Sequence, residues 1–354
     1  MTKSAGMRDV ALLAGVSVGT VSNVLNRPDV VAPGTRARVR AAIAELGFVR
    51  SESARLLRAG SSQVLALLAL DLAEPFFIGV LRGAEQAARA AGFGVLVMDS
   101  ASSAATEATH LAMLAQQRVR GVLVTPADVS GTTLAEFARA RIPYVLVDRD
   151  IPGGIGCRVL VDDVAGGAMA VAHLIAAGHR RIAYVAGPLE LPQYRDRLEG
   201  ARSAVAEAGR GVELVVLPGA RADVSAGRDA AERMLGLAER PTGAFCGSDL
   251  IALGMMQGLF AAGVAVPRDV AIVGYDDLEV AAGAVVPLTS IRRPATRVGI
   301  AAAEILVEES GAAAGQHVHR ELVFQPELVV RASSLPGPPG PPGLRPGLPG
   351  PRPS

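Results

Sequence analysis

The chain has 354 residues, which at about 100 to 200 residues per domain leaves room for two or three structural units. Half of the residues are hydrophobic, 19% are charged and 3% are aromatic, with no tryptophan, so disorder of the whole chain is excluded and a core of Ala, Val and Leu is expected. The formal charge of +1 conceals an asymmetry, because residues 1–62 carry nine cations against four anions while the remainder carries 26 cations against 30 anions. A basic first sixth on a mildly acidic body is the charge pattern of a head that meets phosphate and a body that does not. Cys157 and Cys246 lie 89 residues apart without a CxxC or a Cys/His cluster, so neither a disulfide framework nor zinc is indicated and a reducing compartment is expected. Met1 to Val10 contains no apolar stretch, which argues against a secretory signal and against export.

In chain order, Met7 to Gly47 reads as three short helices. Val10, Leu13 and Ala14 recur at helical spacing, Gly15 breaks the run, and Ser17 is placed to cap a second helix carrying Val21, Val24 and Leu25. Asn26, Pro28 and Pro33 mark a loop. A third helix follows with Val39, Ile43 and Leu46 on one face, Arg36, Arg38 and Arg40 near its start, and Gly47 at its C-cap.

From Gln63 the texture changes to short apolar runs alternating with amphipathic segments. VLALLAL, GVLVMD, GVLVTP and PYVLVD alternate with helical patterns near 77–91, 106–117 and 132–140. After Asp162 the rhythm restarts, with RIAYVAG, VELVVLPG, GAFCGSD and VAIVGYDD among helical patterns near 164–177, 195–208, 225–237 and 249–262. Such alternation belongs to βαβ units on parallel sheets and predicts two doubly wound lobes in tandem, with a ligand cleft at the carboxyl ends of the strands. Leu250 to Pro267 holds 18 uncharged residues and a Gly254-x-x-x-Gly258 pattern, but its glycines, Gln257 and Pro267 favour a buried helix over a membrane span. Residues 335–354, almost entirely Pro and Gly, are expected to form a disordered tail, too short and irregular for collagen.

The string VALLAGVSVGTVSNVLN places a helix, a tight Gly-containing turn and a second helix whose outer face offers Ser17, Val18, Gly19, Ser22 and Asn23. This is helix-turn-helix geometry, in which the second helix enters the major groove, although periodicity alone does not separate it from another three-helix unit. Asp9 to Asn26 resembles the head of the LacI/GalR family of bacterial transcriptional regulators, DVAxxAGVSxxTVSxVLN, and the resemblance continues in register to about residue 331. It implies base reading chiefly by the two variable positions after Ser17, here Val18 and Gly19. Val18 can offer only apolar contact, for instance to a thymine methyl, and Gly19 offers no side chain and weakens its helix by about 1 kcal/mol relative to Ala. Polar contacts to bases and phosphates then fall to Thr20, Ser22, Asn23 and Asn26, with helix packing as the alternative role for Thr20 and Ser22.

Ser51 to Gly60 resembles the family's hinge helix, which implies that Leu57 wedges into the minor groove beside Arg55. Leu56 stands where a small or polar residue is usual and Ser51 where Asn is common, so Leu56 is the alternative wedge. A single short helix buries too little surface for tight specific binding, so a twofold homodimer on a palindromic operator is implied.

In the body, DLAEPFF at 71–77, LVDRD at 146–150, GHRRIAYVAGP at 178–188, RLEG at 197–200 and VGYDD at 273–277 also resemble family signatures. They imply the fold of periplasmic sugar-binding proteins, with effector between two lobes and Asp71, Phe76, Thr125, Asp148, Arg197, Ser248 and Asp276 at the cleft. The carboxylates accept hydrogen bonds from hydroxyls, Arg197 donates a planar fork, Thr125 and Ser248 do either, and Phe76 can stack on an apolar sugar face. A small polyhydroxylated ligand fits this set better than a nucleobase, since Leu191 stands where the purine-responsive relative has a second arginine. Asp249 and Asp277 are expected to cap helices rather than touch ligand, and His173 and His179 to pack and cap a helix end. His317 and His319 share a strand face, but two histidines without a carboxylate or thiol make a poor metal site.

No GxSxG elbow, Walker loop or HExxH is present, and with Lys3 as the one lysine, Schiff-base chemistry in the body is excluded. The expected division is therefore a helix-turn-helix domain at 1–50, a hinge helix and linker at 51–62, an α/β body at 63–331 and a tail at 332–354. Within the body, 63–161 and 292–321 are assigned to the first lobe, 162–291 and 322–331 to the second. The expected protein is a cytoplasmic, ligand-responsive, sequence-specific DNA-binding regulator, a dimeric repressor of carbohydrate genes without cofactor, metal, enzymatic activity or membrane partner. A co-repressed regulator answering purines or other metabolites, and a transporter's solute receptor, are the alternatives. The tail lacks the heptads of a tetramerising helix, which favours a dimer.

Overall fold

The computed structural model describes residues 5–48, 62–151, 154, 156–311 and 316–335, and the chain divides into two compact units, Met1–Ser62 and Gln63–Ser354. In the first, α1 (Met7–Ala14), α2 (Val18–Asn26), a 3-10 turn (Pro28–Val30) and α3 (Pro33–Glu45) follow one another. Gly15 closes α1 in the left-handed region at φ 62°, a conformation that costs glycine nothing and most residues about 1 kcal/mol or more. Two residues later Ser17 opens α2, its Oγ accepting from Thr20 N at 3.1 Å. The break bends the two helices by 103°, within the range of a helix-turn-helix.

Val10, Ala11, Ala14, Val21, Val24, Val39 and Ala42 form the core of this unit. Leu13, expected inside, is instead 45% exposed. At 100° per residue it lies off the face centred on Val10, Ala11 and Ala14, and two alanines and a valine fill the space against α2 and α3. The hinge residues Arg55 and Leu57, together with most of the Pro/Gly tail, lie outside the described residues.

The body holds two six-stranded sheets. The first comprises β1 (Val64–Ala69), β2 (Gly94–Asp99), β3 (Gly121–Val124), β4 (Tyr144–Val147), β5 (Cys157–Val161) and β11 (Glu321–Phe324), ordered β11-β5-β4-β3-β1-β2 and parallel throughout. The second comprises β6 (Arg181–Ala186), β7 (Glu213–Pro218), β8 (Gly243–Cys246), β9 (Ala271–Asp276), β10 (Thr289–Arg292) and β12 (Glu327–Val329), ordered β12-β10-β9-β8-β6-β7 with only β12 antiparallel. The helices between them are α4 (Pro75–Ala90), α5 (Ala104–Gln116), α6 (Thr132–Arg139), α7 (Asp163–Ala176), α8 (Pro192–Ala208), α9 (Val224–Leu235), α10 (Asp249–Ala261), α11 (Glu279–Ala282) and α12 (Ala295–Glu309). In each sheet the strand order reverses at the first strand, β1 or β6, which opens a crevice at the carboxyl ends of the strands.

The chain passes between the sheets after Val161, after Arg292 and after Phe324. The last crossing corrects the division drawn from sequence, which assigned 322–331 to the second lobe. Leu322, Val323 and Phe324 pair with Val159, Leu160 and Val161 in the first sheet, and the chain turns at Gln325-Pro326, where proline ends strand pairing. The apolar run from Leu250 becomes α10, packed on α9. A Cβ at Gly254 would overlap the Val224 carbonyl, and one at Gly258 would lie 2.7 Å from Ala231 Cβ, so the small-residue spacing serves close helix packing inside the lobe. Among the described residues no single helix is long and apolar enough to cross a membrane.

Candidate functional site

Ser17 is both the cap of α2 and part of its outer face, because its Oγ lies 2.9 Å from Thr20 Oγ1. Val18, Gly19, Asn23 and Asn26 are exposed, while Thr20 and Ser22 are half-buried. Asn26 donates Nδ2 to Ser22 O at 2.8 Å and to Ser22 Oγ at 3.2 Å, so these two act as a pre-set pair. Val21 and Val24 point to the other side and enter the core. The result is a short polar face on a rigid support, the form in which a helix presents side chains to a groove. Arg8, Arg27, Arg36, Arg38 and Arg40 supply positive charge in the same unit, as backbone phosphates require.

In the body, the carboxyl ends of the strands meet around a buried cluster of charge. Asp148, after β4, pairs with the Arg293 guanidinium, which also lies 3.6 Å from Asp276 and 4.0 Å from Asp163. Arg197 of α8 donates Nε to Asp163 at 3.1 Å and Nη1 to Gly247 O at 2.6 Å, and Tyr275 donates its hydroxyl to Asp163 at 2.6 Å. The Arg197 guanidinium stacks 3.8 Å above the Tyr275 ring. Across the opening, Arg149 of the first lobe donates to Pro126 O at 2.8 Å and to Gln193 Oε1 of the second lobe at 3.3 Å.

Asp148 and Asp276 both have positive φ, 63° and 107°, a region rare for non-glycine residues and tolerated best by Asp and Asn. One carboxylate oxygen of Asp276, Oδ1, is buried without a hydrogen-bond partner. Burial pushes the Asp276 carboxyl well above the usual carboxylate range, partly countered by Arg197, and burial likewise raises Glu74, countered by Arg197 and Arg293. Burial opposes the Arg197 guanidinium most strongly, but Asp163, Tyr275, Asp276 and Tyr194 together outweigh it and hold the charge. Carboxylates and guanidiniums thus nearly balance in a buried site, with one acceptor, Asp276 Oδ1, and one donor, Arg293 Nε, left without a hydrogen bond.

The residues expected at the cleft divide into two groups. Asp148, Arg197, Asp276 and Phe76 are brought together, but the Phe76 face expected to stack on a sugar carries Arg293 at 3.5 Å instead, a cation–π contact that satisfies the ring. Thr125 and Ser248 are directed to local duties, the Thr125 hydroxyl donating to Val147 O at 2.8 Å and Ser248 capping α10 through Ile251 N at 3.3 Å. Asp71 accepts from Ala73 N at 2.8 Å at the start of the loop to α4. Ser248, not Asp249, is therefore the cap; Asp249 accepts from Leu278 N and Ser290 Oγ, each at 2.7 Å. Asp277 is an ion-pair partner rather than a cap, with Arg292 at 2.7 Å and Arg331 at 2.6 Å.

His173 and His179 meet the hydroxyls of Ser334 and Thr242. Leu191 precedes α8 and packs on the second-lobe core. Arg293, Asp163, Tyr275, Arg149 and Gln193 were not singled out from sequence. The adjacent arginines of IRRP, at a crossing between lobes, were the available signal for Arg293.

Residues 6–51 match the family described as bacterial regulatory proteins, lacI family, and residues 171–334 match a periplasmic binding protein-like domain. The HTH-type transcriptional repressor PurR of Photobacterium profundum is 33% identical over 330 residues, 93% of this chain and 98% of that protein. Two solved structures are similar. A transcriptional regulator CelR–cellobiose complex has a TM-score of 0.69 and 34% identity over 93% of this chain and 100% of that one. The lac repressor dimer bound to operator and the anti-inducer ONPF has a TM-score of 0.84 and 27% identity over 94% and 100%. With a basic helix-turn-helix head, a two-lobed body enclosing a charged cleft and relatives matched over nearly its whole length, the chain belongs to the lacI family of DNA-binding bacterial transcriptional regulators.

Proposed function

We propose that this regulator is a repressor that binds a palindromic operator as a homodimer and releases or tightens it according to a sugar-like effector held between the lobes. Ser17, Val18, Gly19, Thr20, Ser22, Asn23 and Asn26 contact the major groove, and Arg55 and Leu57 follow in the hinge. In the cytoplasm, effector binding shifts the lobe arrangement and with it the population competent for operator. The observation that carries the ligand class is Asp276 Oδ1, buried without a hydrogen bond and facing Arg293 only as an ion pair at 3.6 Å, beside Asp148 and Arg197. Alternating carboxylates and planar guanidiniums match vicinal hydroxyls, which both donate and accept. The similarity to a regulator solved with cellobiose supports the same class.

A purine effector is the second reading, favoured by 33% identity to a repressor named PurR. Thermal denaturation against monosaccharides, disaccharides, their phosphates and nucleobases separates the two. A ligand at a hundredfold excess over its Kd adds about 2.7 kcal/mol of stability, and the Asp276→Asn protein should lose that gain while still binding DNA. A response to purines alone transfers the function to the second reading, and an unchanged response in Asp276→Asn removes Asp276 from the site.

A further inference from the structure

At the opposite end of the first sheet, where its strands begin, four donor side chains from three chain segments converge. Cys157 opens β5, Glu309 closes α12, and His317 and His319 precede β11. Their ligand atoms all lie within 4.8 Å of one another. Cys157 Sγ is 3.0 Å from His317 Nε2 and 3.8 Å from His319 Nδ1, and His317 Nε2 is 3.9 Å from Glu309 Oε2. The edges of a tetrahedral zinc site with thiolate, imidazole and carboxylate ligands are about 3.3 to 3.7 Å, so binding requires side-chain shifts of about 1 Å or less. The objection from sequence, that the two histidines lack a thiol and a carboxylate, is removed by the fold.

We propose that Cys157, His317, His319 and Glu309 bind a divalent cation of the zinc class. Glu309 Oε2 is buried with no hydrogen-bond partner, an acceptor with nothing to accept from. His317 turns its other nitrogen, Nδ1, towards Glu308 Oε1 at 3.7 Å, just beyond hydrogen-bond distance, and Glu308 accepts from Arg320 at 2.6 Å, so a small shift would make Glu308 the outer carboxylate that orients a ligating imidazole. Burial pushes both the Cys157 thiol and the Glu309 carboxyl up, and a dication reverses that preference. On binding, the thiol proton leaves to solvent, and one thiolate and one carboxylate neutralise the ion. The ion would tie β5, α12 and the segment before β11 together at the end of the sheet away from the cleft.

The test uses the full chain, freed of tags and stripped by a chelator, titrated with Co2+ as a spectroscopic probe and with Zn2+ against a chromophoric chelator. The expected result is one ion per chain, a thiolate-to-cobalt charge-transfer band with the intense visible absorption of tetrahedral cobalt, and a rise in Tm with Zn2+. Cys157→Ser should abolish the charge-transfer band, and His319→Ala, at an exposed position that leaves the fold intact, should lower affinity at least tenfold. Glu308→Gln should lower it about 10- to 100-fold. A native chain without the band, or a band that survives in Cys157→Ser, overturns the proposal. Undiminished Zn2+ affinity in His319→Ala does the same and leaves only a thiol–imidazole contact.

Discussion

In the head, Val18, Gly19 and Asn23 stand in solvent on a nine-residue helix whose opposite face is anchored by Val21 and Val24. In the body, Asp148, Arg197 and Arg293 are almost wholly shielded from water and hold one another through partners far away in the chain. These three head residues can therefore change without disturbing their support, whereas a cleft side chain is also part of the structure that supports it. Specificity in the first case is a surface property, and in the second it is inseparable from stability.

Substitutions can break this contrast, beginning with the largest expected effect. Arg293→Met leaves Asp148 and Asp276 without their buried cation and should destabilise the body by about 3 to 5 kcal/mol, read by chemical denaturation. The pH dependence of the body should show Asp249, which burial pushes up to about 7 from 3.8. The folded state then holds a proton that the unfolded chain releases, so this contribution is full below about pH 3.8 and is lost as pH rises through about 7. Asp249→Asn should flatten that slope in denaturation curves taken across the interval. Gly254→Ala forces α10 away from the Val224 carbonyl and should cost about 1 to 3 kcal/mol, with a lowered Tm.

In the head the effects become small and separable. Ser17→Ala removes the cap and should cost about 1 kcal/mol, seen as a lower head transition. Asn23→Ala should change stability by less than about 0.5 kcal/mol yet weaken a selected operator by about 1 to 3 kcal/mol where Asn23 reads a base. Equal losses on random and selected duplexes would show that Asn23 contacts only phosphate.

The helix-turn-helix was legible because its signals are local. Gly15 and Ser17 stop and start helices within three residues, and Val21 and Val24 repeat at the helical period. The alternation of apolar runs and amphipathic segments likewise predicted β1–β4 and β6–β9 and the helices α4–α10, though not β5, β10, β11, β12 or α12, and the family resemblance pointed to Asp148, Arg197 and Asp276 at the cleft.

Only the tertiary structure decided what those residues meet. Arg293 pairs with Asp148 across 145 positions and covers the Phe76 ring, Thr125 and Ser248 spend their hydroxyls on backbone, and β11 joins the first sheet rather than the second. Cys157 and His317 are 160 positions apart, so no spacing rule connects them. Periodicity and capping act between neighbours in sequence and are written there directly. Ion pairing and ligand geometry depend on which strand ends the sheet order brings together, and that order is set by the packing of the whole lobe.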